Sequence, residues 1–437
     1  MKKFILNLTN IFKTIQITDT WKNITPCDVL LVRSDLHCGY IYKGKAYSPL
    51  IDSIADLCKS RGLVARSVAA PYSKLIGALA YNTPVSYNRF AFFVAIVRRI
   101  AWLILGRTKG EDFTNKLRAY FWGRVLGKTK PRCVIGIQPD VGLCRAGKTA
   151  GVPIYDLQHG VIAKGHPKYT NENCAEIPTR DLPDGYLCWD DQSATLLRKW
   201  ATQKGIDVRI VGHVWFLRFL FPRPNDFLVQ EAVNTGRIFK DNRPSILVTL
   251  AYDLDKFYQD DSFNGVMVDV LEKTILETAD TYNWLIKLHP LQMRGSENKT
   301  SQRYLKQTFG HFASVDWLVC SRISLSVLLQ QVDLHITDMS SVVIEAGWMS
   351  IHSALLNKEL LPGGIFEYYF KHEQDLGMAV VLHQDTKKIK QWITDSLIKG
   401  KGQSTLKDTR KELHGFIQEI VDNVRTETNY SRVSKGS

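Results

Sequence analysis

Short apolar runs, each bounded by a polar or glycine-containing turn and followed by a helical stretch, constrain this chain more than any other feature. In the first half the runs fall at 28–32, 63–68, 133–138, 153–157, 185–189 and 208–211. Apolar on both alternating faces, they read as strands buried on two sides, which means parallel strands covered by helices. The stretches predicted as helices include 50–59, 90–105, one running to Lys148 and one to about Lys204. A second series of strands at 245–250, 284–288, 316–320, 334–337 and 379–383, with a helix over 264–279, repeats the pattern. Between the two series lies Phe221-Pro222-Arg223-Pro224-Asn225, where two prolines break any helix and restrict their neighbours. At 437 residues the chain has room for two domains of roughly 200 residues, each with its own core. The expectation is an α/β protein with two Rossmann-like parallel-sheet domains: 1–221, a linker at 222–243, and 244–385, followed by a basic helical tail at 386–437 whose polar end is disordered.

Charge narrows the partners. Lysine and arginine number 57 against 43 acids, a net charge of +14, which favours a nucleotide-activated donor, a membrane surface or nucleic acid. Zinc-finger spacing and paired-aromatic motifs are missing from the sequence, so nucleic acid is not expected. The eight cysteines (Cys27, Cys38, Cys58, Cys133, Cys144, Cys174, Cys188 and Cys320) include no CxxC pair and fit a reduced, cytoplasmic protein. Met1-Lys2-Lys3 leads into no long apolar segment with a small-residue cleavage site, so no signal peptide is read. The longest apolar stretch, 90–105, is split by Arg98 and Arg99 before it reaches the roughly 18 residues of a membrane span. It reads either as a core helix with two arginines reaching solvent or as a helix lying against an anionic membrane.

Candidate functional groups gather where strands end, because open α/β sheets bind ligands at the carboxyl ends of their strands. The stretch 332–357, VDLHITDMSSVVIEAGWMSIHSALLN, is a strand, a turn with Asp338, Ser340 and Ser341, then a helix carrying Glu345. Hydroxyls and free N–H groups at a helix start make an anion site, and a carboxylate one turn on can reach ribose hydroxyls. The ordinary alternative is a serine N-cap. Upstream, WLIKLHP at 284–290 ends a strand in His289-Pro290. In the first half, Asp35 and His37 lie in the long loop after the first strand, and Gln158-His159-Gly160 ends another. A further long loop, 161–184, holds His166, Glu172, Glu176, Asp181 and Asp184, and loops of that length tend to be functional or mobile. Just past 245–250 come Asp253 and Asp255, which either carry chemistry or cap the following helix.

The two-domain layout with a proline-marked hinge resembles the GT-B glycosyltransferases, whose Rossmann-like domains face a central cleft. The motifs QHG at 158–160, KLHP at 287–290 and TDMSSVVIEAG at 337–347 resemble the superfamily of CDP-glycerol glycerophosphotransferases, bacterial polysialyltransferases and capsule-type Kdo transferases. Within it, the chain is most similar to the retaining β-Kdo transferases of O-antigen and capsule synthesis. The resemblance implies a nucleotide site of Lys287, His289, Pro290, Ser340 and Ser341, with Glu345 in the place of the nucleoside-binding acidic residue. It implies a CMP-sugar donor, CMP-Kdo, with no separate cofactor and no metal, although Asp253-Leu254-Asp255 spells DxD. The acceptor would be a lipid-linked or oligosaccharide end of a growing bacterial glycan, reached from the inner face of the cytoplasmic membrane. Retention by two displacements would use Asp253 or Asp255 as nucleophile, with the acid/base drawn from Asp35, His37, His159 or the 161–184 loop. Three alternatives stay open: CDP-glycerol-type glycerophosphotransfer, a UDP- or GDP-sugar donor, and a non-catalytic binding scaffold on the same fold.

Overall fold

The computed structural model describes residues 14–433, apart from 171, 253, 255, 256 and 259–261. The chain divides into two compact units. Unit 1 takes the chain as far as His159, then Lys168–Trp215 and the stretch from Asp408 onward; unit 2 takes Gly160–Pro167 and Phe216–Lys407.

In unit 1, β1 (Val29–Arg33) leads into a small antiparallel hairpin, β2 (Tyr40–Tyr42) and β3 (Lys45–Tyr47). The main sheet continues with β4 (Ala65–Ala69), β5 (Cys133–Gly136), β6 (Ile154–Leu157), β7 (Gly185–Cys188) and β8 (Asp207–Ile210). Among the described residues it has six strands, all parallel, in the order β4-β1-β5-β6-β7-β8. The strand order reverses between β1 and β5, which is where a doubly wound sheet opens a crevice. Aspartates start the helices that follow these strands: the Asp140 carboxylate accepts from the Leu143 amide at 3.1 Å, and Asp190 from the Ser193 amide at 2.7 Å.

Unit 2 carries β9 (Ser245–Thr249), β10 (Asn283–Lys287), β11 (Val315–Asp316), β12 (Leu334–Thr337), β13 (His352–Leu355) and β14 (Ala379–Val381). They form a second parallel sheet in the order β11-β10-β9-β12-β13-β14, reversing between β9 and β12. Ile246, Val248, Trp284, Ile286 and Ile336 fill its core with Leu305, Phe309 and Ile389 from the covering helices. The expected α/β class with two Rossmann-like parallel sheets is therefore what the chain folds into.

Several local readings change. The 106–132 region, assigned no element in the sequence, is a helix, Arg107–Thr129. It buries Phe121, Trp122, Val125 and Leu126 in the core of unit 1 and packs closely on helix Val141–Ala150, where a Cβ on Gly142 would lie 2.3 Å from the Arg118 Cβ. The loop after β1 contains the β2–β3 hairpin, turning at Lys43 and Gly44, both at positive φ. The strand expected at 316–320 is two residues long, and the helix expected over 264–279 begins at Asp269. Prolines 222 and 224 end helix Val214–Leu220 but mark no free linker. Arg218 grips Asp226 through two bonds of 2.8 Å, Asp226 caps helix Phe227–Val233, and the unit boundary falls at Trp215–Phe216 instead. The supposed tail also divides. Helix Thr386–Lys399 packs in unit 2 against Asp269–Thr278, whereas helix Arg410–Val433 belongs to unit 1; the last residues of the polar end expected to be disordered lie outside the described residues.

Candidate functional site

The polar groups of unit 2 converge on the carboxyl ends of β10, β9 and β12, three neighbouring strands that include the reversal point. His289 lies two residues past β10. Its Nδ1 accepts the Leu291 N–H at 3.2 Å, so a neutral ring carries its proton on Nε2. Burial, aided by the Arg294 charge, pushes the imidazole down to about 4, which keeps it neutral at physiological pH. Gln292 accepts the His289 N–H at 2.9 Å, and the Tyr252 ring stacks on the imidazole with centroids 5.8 Å apart. His289 is thus a positioned N–H donor.

Ser340 and Ser341 follow β12. Ser341 occupies the N-cap of helix Val342–Trp348 without a side-chain capping bond, and Ser340 Oγ only grazes the Val342 amide at 3.4 Å. That helix spans seven residues, so the hydroxyls rather than a long macrodipole are what this turn offers an anion. Glu345 is buried one turn into the same helix. Pro290 is half-buried beside His289.

Lys287 plays a different part. Its ammonium donates to the carbonyls of Ile323 at 2.8 Å, Cys320 at 3.1 Å and Ser321 at 3.4 Å, and desolvation pushes it down to about 8. Three carbonyls hold this cation inside the β10–β11 side of the unit. The two aspartates weighed as nucleophile, Asp253 and Asp255, lie outside the described residues.

Below the serines is a buried network of which the motifs contained only Asp338. Asp338 accepts from the Tyr258 hydroxyl and from Asn357 Nδ2 at 2.9 Å. Gln384 donates to the Tyr258 oxygen at 3.0 Å and to the Leu356 carbonyl at 2.9 Å. Burial pushes the Asp338 carboxyl up to about 6 against the pull of those two donors. Deeper in the sheet, His335 bridges Thr249 Oγ1 at 2.8 Å and Ser353 Oγ at 2.9 Å, tying β9, β12 and β13 together. Full burial drives that imidazole down to about 3. Tyr258, Asn357 and Gln384 are far apart in sequence; only Asn357, closing the 332–357 stretch, stood near a recognised motif.

Unit 1 gathers a second set at its own reversal point. His37, after β1, and His159, after β6, meet edge to face with ring centroids 5.0 Å apart. Asp35 is anchored differently, accepting the amides of Lys74 at 2.7 Å and Leu75 at 3.2 Å, and so holds the 70s loop. Gln158 is structural as well, taking the Trp189 amide at 2.7 Å and reaching Ser193 at 3.0 Å. Among the acids of the 161–184 loop, Asp181 is clamped by Arg145 at 2.6 and 3.1 Å, and Asp184 takes Lys148 and the Ile154 amide. Beneath the histidines, fully buried Asp156 takes the Gln138 amide at 2.8 Å, and desolvation pushes it up to about 7. Arg33 and Asp52 form a buried pair at 3.3 Å, with Arg33 also donating to the carbonyls of Ala46 and Tyr81.

Two doubly wound parallel sheets in one chain define the GT-B type of fold. Solved structures share it. The wall teichoic acid polymerase TagF aligns over 98% of this chain and 96% of its own at 13% identity, with a TM-score of 0.53. A Methanocaldococcus jannaschii UDP-GlcNAc 2-epimerase in complex with UDP-GlcNAc and UDP aligns over 90% of this chain and 99% of its own at 11% identity, TM-score 0.55. The UDP-GlcNAc-bound 2-epimerase from Neisseria meningitidis aligns over 91% and 99% at 13% identity, TM-score 0.51. At these identities the likeness establishes the fold. No protein-family model matches the chain, and no curated protein sequence does.

Proposed function

We propose that this chain is a transferase that binds a nucleotide-activated donor in unit 2 and passes the activated group to a growing bacterial surface glycan. The observation that carries the reading is the set of hydrogen-bond donors at one sheet edge: His289 Nε2–H beyond β10, and the Ser340 and Ser341 hydroxyls beyond β12. These strands flank β9, two strand spacings or about 10 Å apart, a span that a nucleotide's phosphates and ribose can bridge. Leaving-group charge is met by a fixed imidazole N–H and two hydroxyls in a partly dehydrated site, where such donors are worth more than in water. The finer reading, a Kdo-type sugar carried on CMP and transferred with retention to a lipid-linked or oligosaccharide acceptor, rests on the KLHP and TDMSSVVIEAG motifs. His37 and His159 supply the proton-transfer groups of this proposal, because Asp35, Asp181 and Asp184 are committed to holding loops and helices.

A second reading is favoured by one observation. TagF, which matches nearly end to end, has also been solved after soaking with CDPG, and a CDP-glycerol-type donor would use the same phosphate contacts without a carboxylate nucleophile. Calorimetric titration with CMP, CDP, UDP and GDP, on the parent and on His289→Ala, separates the donors. Preference for CMP or CDP, weakened about 10-fold or more in the variant, supports the site. Preference for UDP or GDP keeps the site and overturns the cytidine donor, whereas binding untouched by His289→Ala overturns the site. Asp253→Ala with Asp255→Ala then divides the chemistries: loss of turnover with nucleotide binding retained fits two displacements, and retained turnover fits glycerophosphotransfer.

A further inference from the structure

The face of unit 1 formed by helices Asn88–Leu105 and Arg107–Thr129 has no part in the chemistry above. The two helices fold back on one another at Gly106, so closely that a Cβ on Gly110 would lie 2.8 Å from the backbone of Ala101 and Trp102. On the first helix, Phe93, Ile96, Ile100, Leu103 and Ile104 are all exposed, and their spacing of three to four residues places them on one stripe. Exposure peaks at the tip, 87% for Leu103 and 74% for Ile104, and stays high through Leu105, Gly106, Arg107, Thr108 and Lys109. The second helix exposes Lys109, Phe113, Lys116, Tyr120 and Arg124 at the same kind of spacing.

The charge of this hairpin is one-sided. From 88 to 130 there are ten lysines and arginines against two acids, so a tenth of the chain carries more than half of its net charge of +14. Both acids are already answered. Glu111 is held by Arg98 at 2.7 Å and Arg118 at 3.6 Å, and Asp112 by Arg145 at 2.7 Å and Lys116 at 3.1 Å. Arg99, one turn before Leu103, and Lys109 make no ion pair among the described residues, and Arg107 lies only over the Trp102 ring. Among the described residues no helix is long and apolar enough to cross a membrane. A second copy of the chain would set these cations against each other. An anionic bilayer answers both properties at once, with an acyl boundary for the apolar tip and phosphates for the cations.

We propose that the tip of this helical hairpin is an interfacial docking face for an anionic lipid bilayer. Leu103, Ile104 and Leu105, with Ile100 behind them, enter the headgroup–acyl boundary, and Arg99, Arg107 and Lys109 meet lipid phosphates. The face suits the lipid-linked form of the acceptor proposed above, yet the inference stands on the hairpin alone.

The test is co-sedimentation of the full chain with phosphatidylcholine vesicles, with and without phosphatidylglycerol, for the parent and for L103E/I104E and R107E/K109E. Retention is expected on the anionic vesicles, weaker on neutral ones, and reduced at about 1 M salt, where the screening length falls to about 3 Å. L103E/I104E lowers retention by about 10-fold or more, as does R107E/K109E, each reversal removing attraction on the order of fivefold per charge. The melting temperature and nucleotide affinity of both variants match the parent. Absent retention on anionic vesicles, or retention equal in parent and variants, overturns the proposal. A concentration-dependent dimer that L103E/I104E abolishes, without lipid retention, assigns the face to a second copy. A melting temperature lowered by several degrees in L103E/I104E means the chain itself covers the tip and overturns the proposal equally.

Discussion

The two sheets come from the same strand–turn–helix grammar, yet they use their reversal points differently. In unit 1 the polar groups at the strand ends mostly fasten the protein to itself. Arg33 holds Asp52 and two carbonyls, Asp35 holds the 70s loop, and Gln158 holds the turn after β7, leaving the His37–His159 contact as the chemistry-bearing feature. In unit 2 the fastening is one layer down, in His335 and the Asp338–Tyr258–Asn357 network, and the residues above it keep donors for an incoming anion. The lesson is that a polar residue at a strand end is a ligand candidate only after the loops around it have taken the hydrogen bonds they need.

The largest effect expected from breaking this comparison lies in unit 1. Arg33→Met leaves Asp52 buried without its partner and should cost about 3–5 kcal/mol of stability, read from urea unfolding of the full chain. Because burial already pushes Asp52 up to about 7, the deficit should shrink as the pH falls and the carboxyl protonates. A deficit under about 0.5 kcal/mol at neutral pH, within the ordinary range for surface substitutions, would remove Arg33 from the framework.

Next in size is turnover. His37→Ala and His159→Ala should each lower kcat by about 100-fold, the scale of general acid–base catalysis, while leaving nucleotide affinity within about threefold of the parent. If nucleotide affinity falls along with turnover, the division of labour between the two sheet edges is wrong.

One buried group from each unit, Asp156 and His335, should respond oppositely to pH. Asp156 has its folded value raised, so its contribution is fully present below the unfolded value near 4 and is lost as pH rises toward about 7. His335 is depressed, so its contribution is present above the unfolded value near 6.5 and is lost as pH falls toward about 3. Relative to the parent, Asp156→Asn should therefore gain stability between pH 4 and 7, and His335→Asn should gain it as the pH drops below 6.5. Each gain is on the order of 4 kcal/mol over its window, the scale of about three pKa units. Parallel pH curves for parent and variant would mean that the residue titrates alike folded and unfolded.

The smallest effect sharpens one residue's assignment. Lys287→Met should cost about 1–2 kcal/mol of stability through the three carbonyls left behind, and change nucleotide affinity by less than about threefold. A large loss of nucleotide affinity with stability unchanged would return Lys287 to the phosphate site.

Much of the architecture was legible from the residues. Parallel strands buried on both faces need uninterrupted apolar runs, so most strands of both sheets stood out within one or two positions. Helix Arg107–Thr129 did not, because its first half buries Gly110, Thr114 and Asn115, and large apolar side chains (Phe121, Trp122, Val125 and Leu126) line the buried side only in its second half. The unit boundary was misplaced at the prolines because a break in local conformation is not a break in contacts: Arg218 and Asp226 bridge it. His289, Ser340 and Ser341 could be named from short motifs, since a turn after a strand is set by residues adjacent in the chain.

What the sequence alone determined, then, is the local grammar: where strands and helices lie, that there are two sheets, and which turns carry imidazoles and hydroxyls. Those properties follow from hydrophobic period and turn chemistry, which act over a few residues. Only the tertiary structure decided strand order, and with it the pairing of His37 with His159, 122 positions apart. It alone joined Tyr258, Asp338, Asn357 and Gln384 and turned Lys287 toward the 320–323 carbonyls. Whether a polar side chain serves the fold or a ligand depends on which distant backbone groups need a partner, and no short stretch of sequence carries that information.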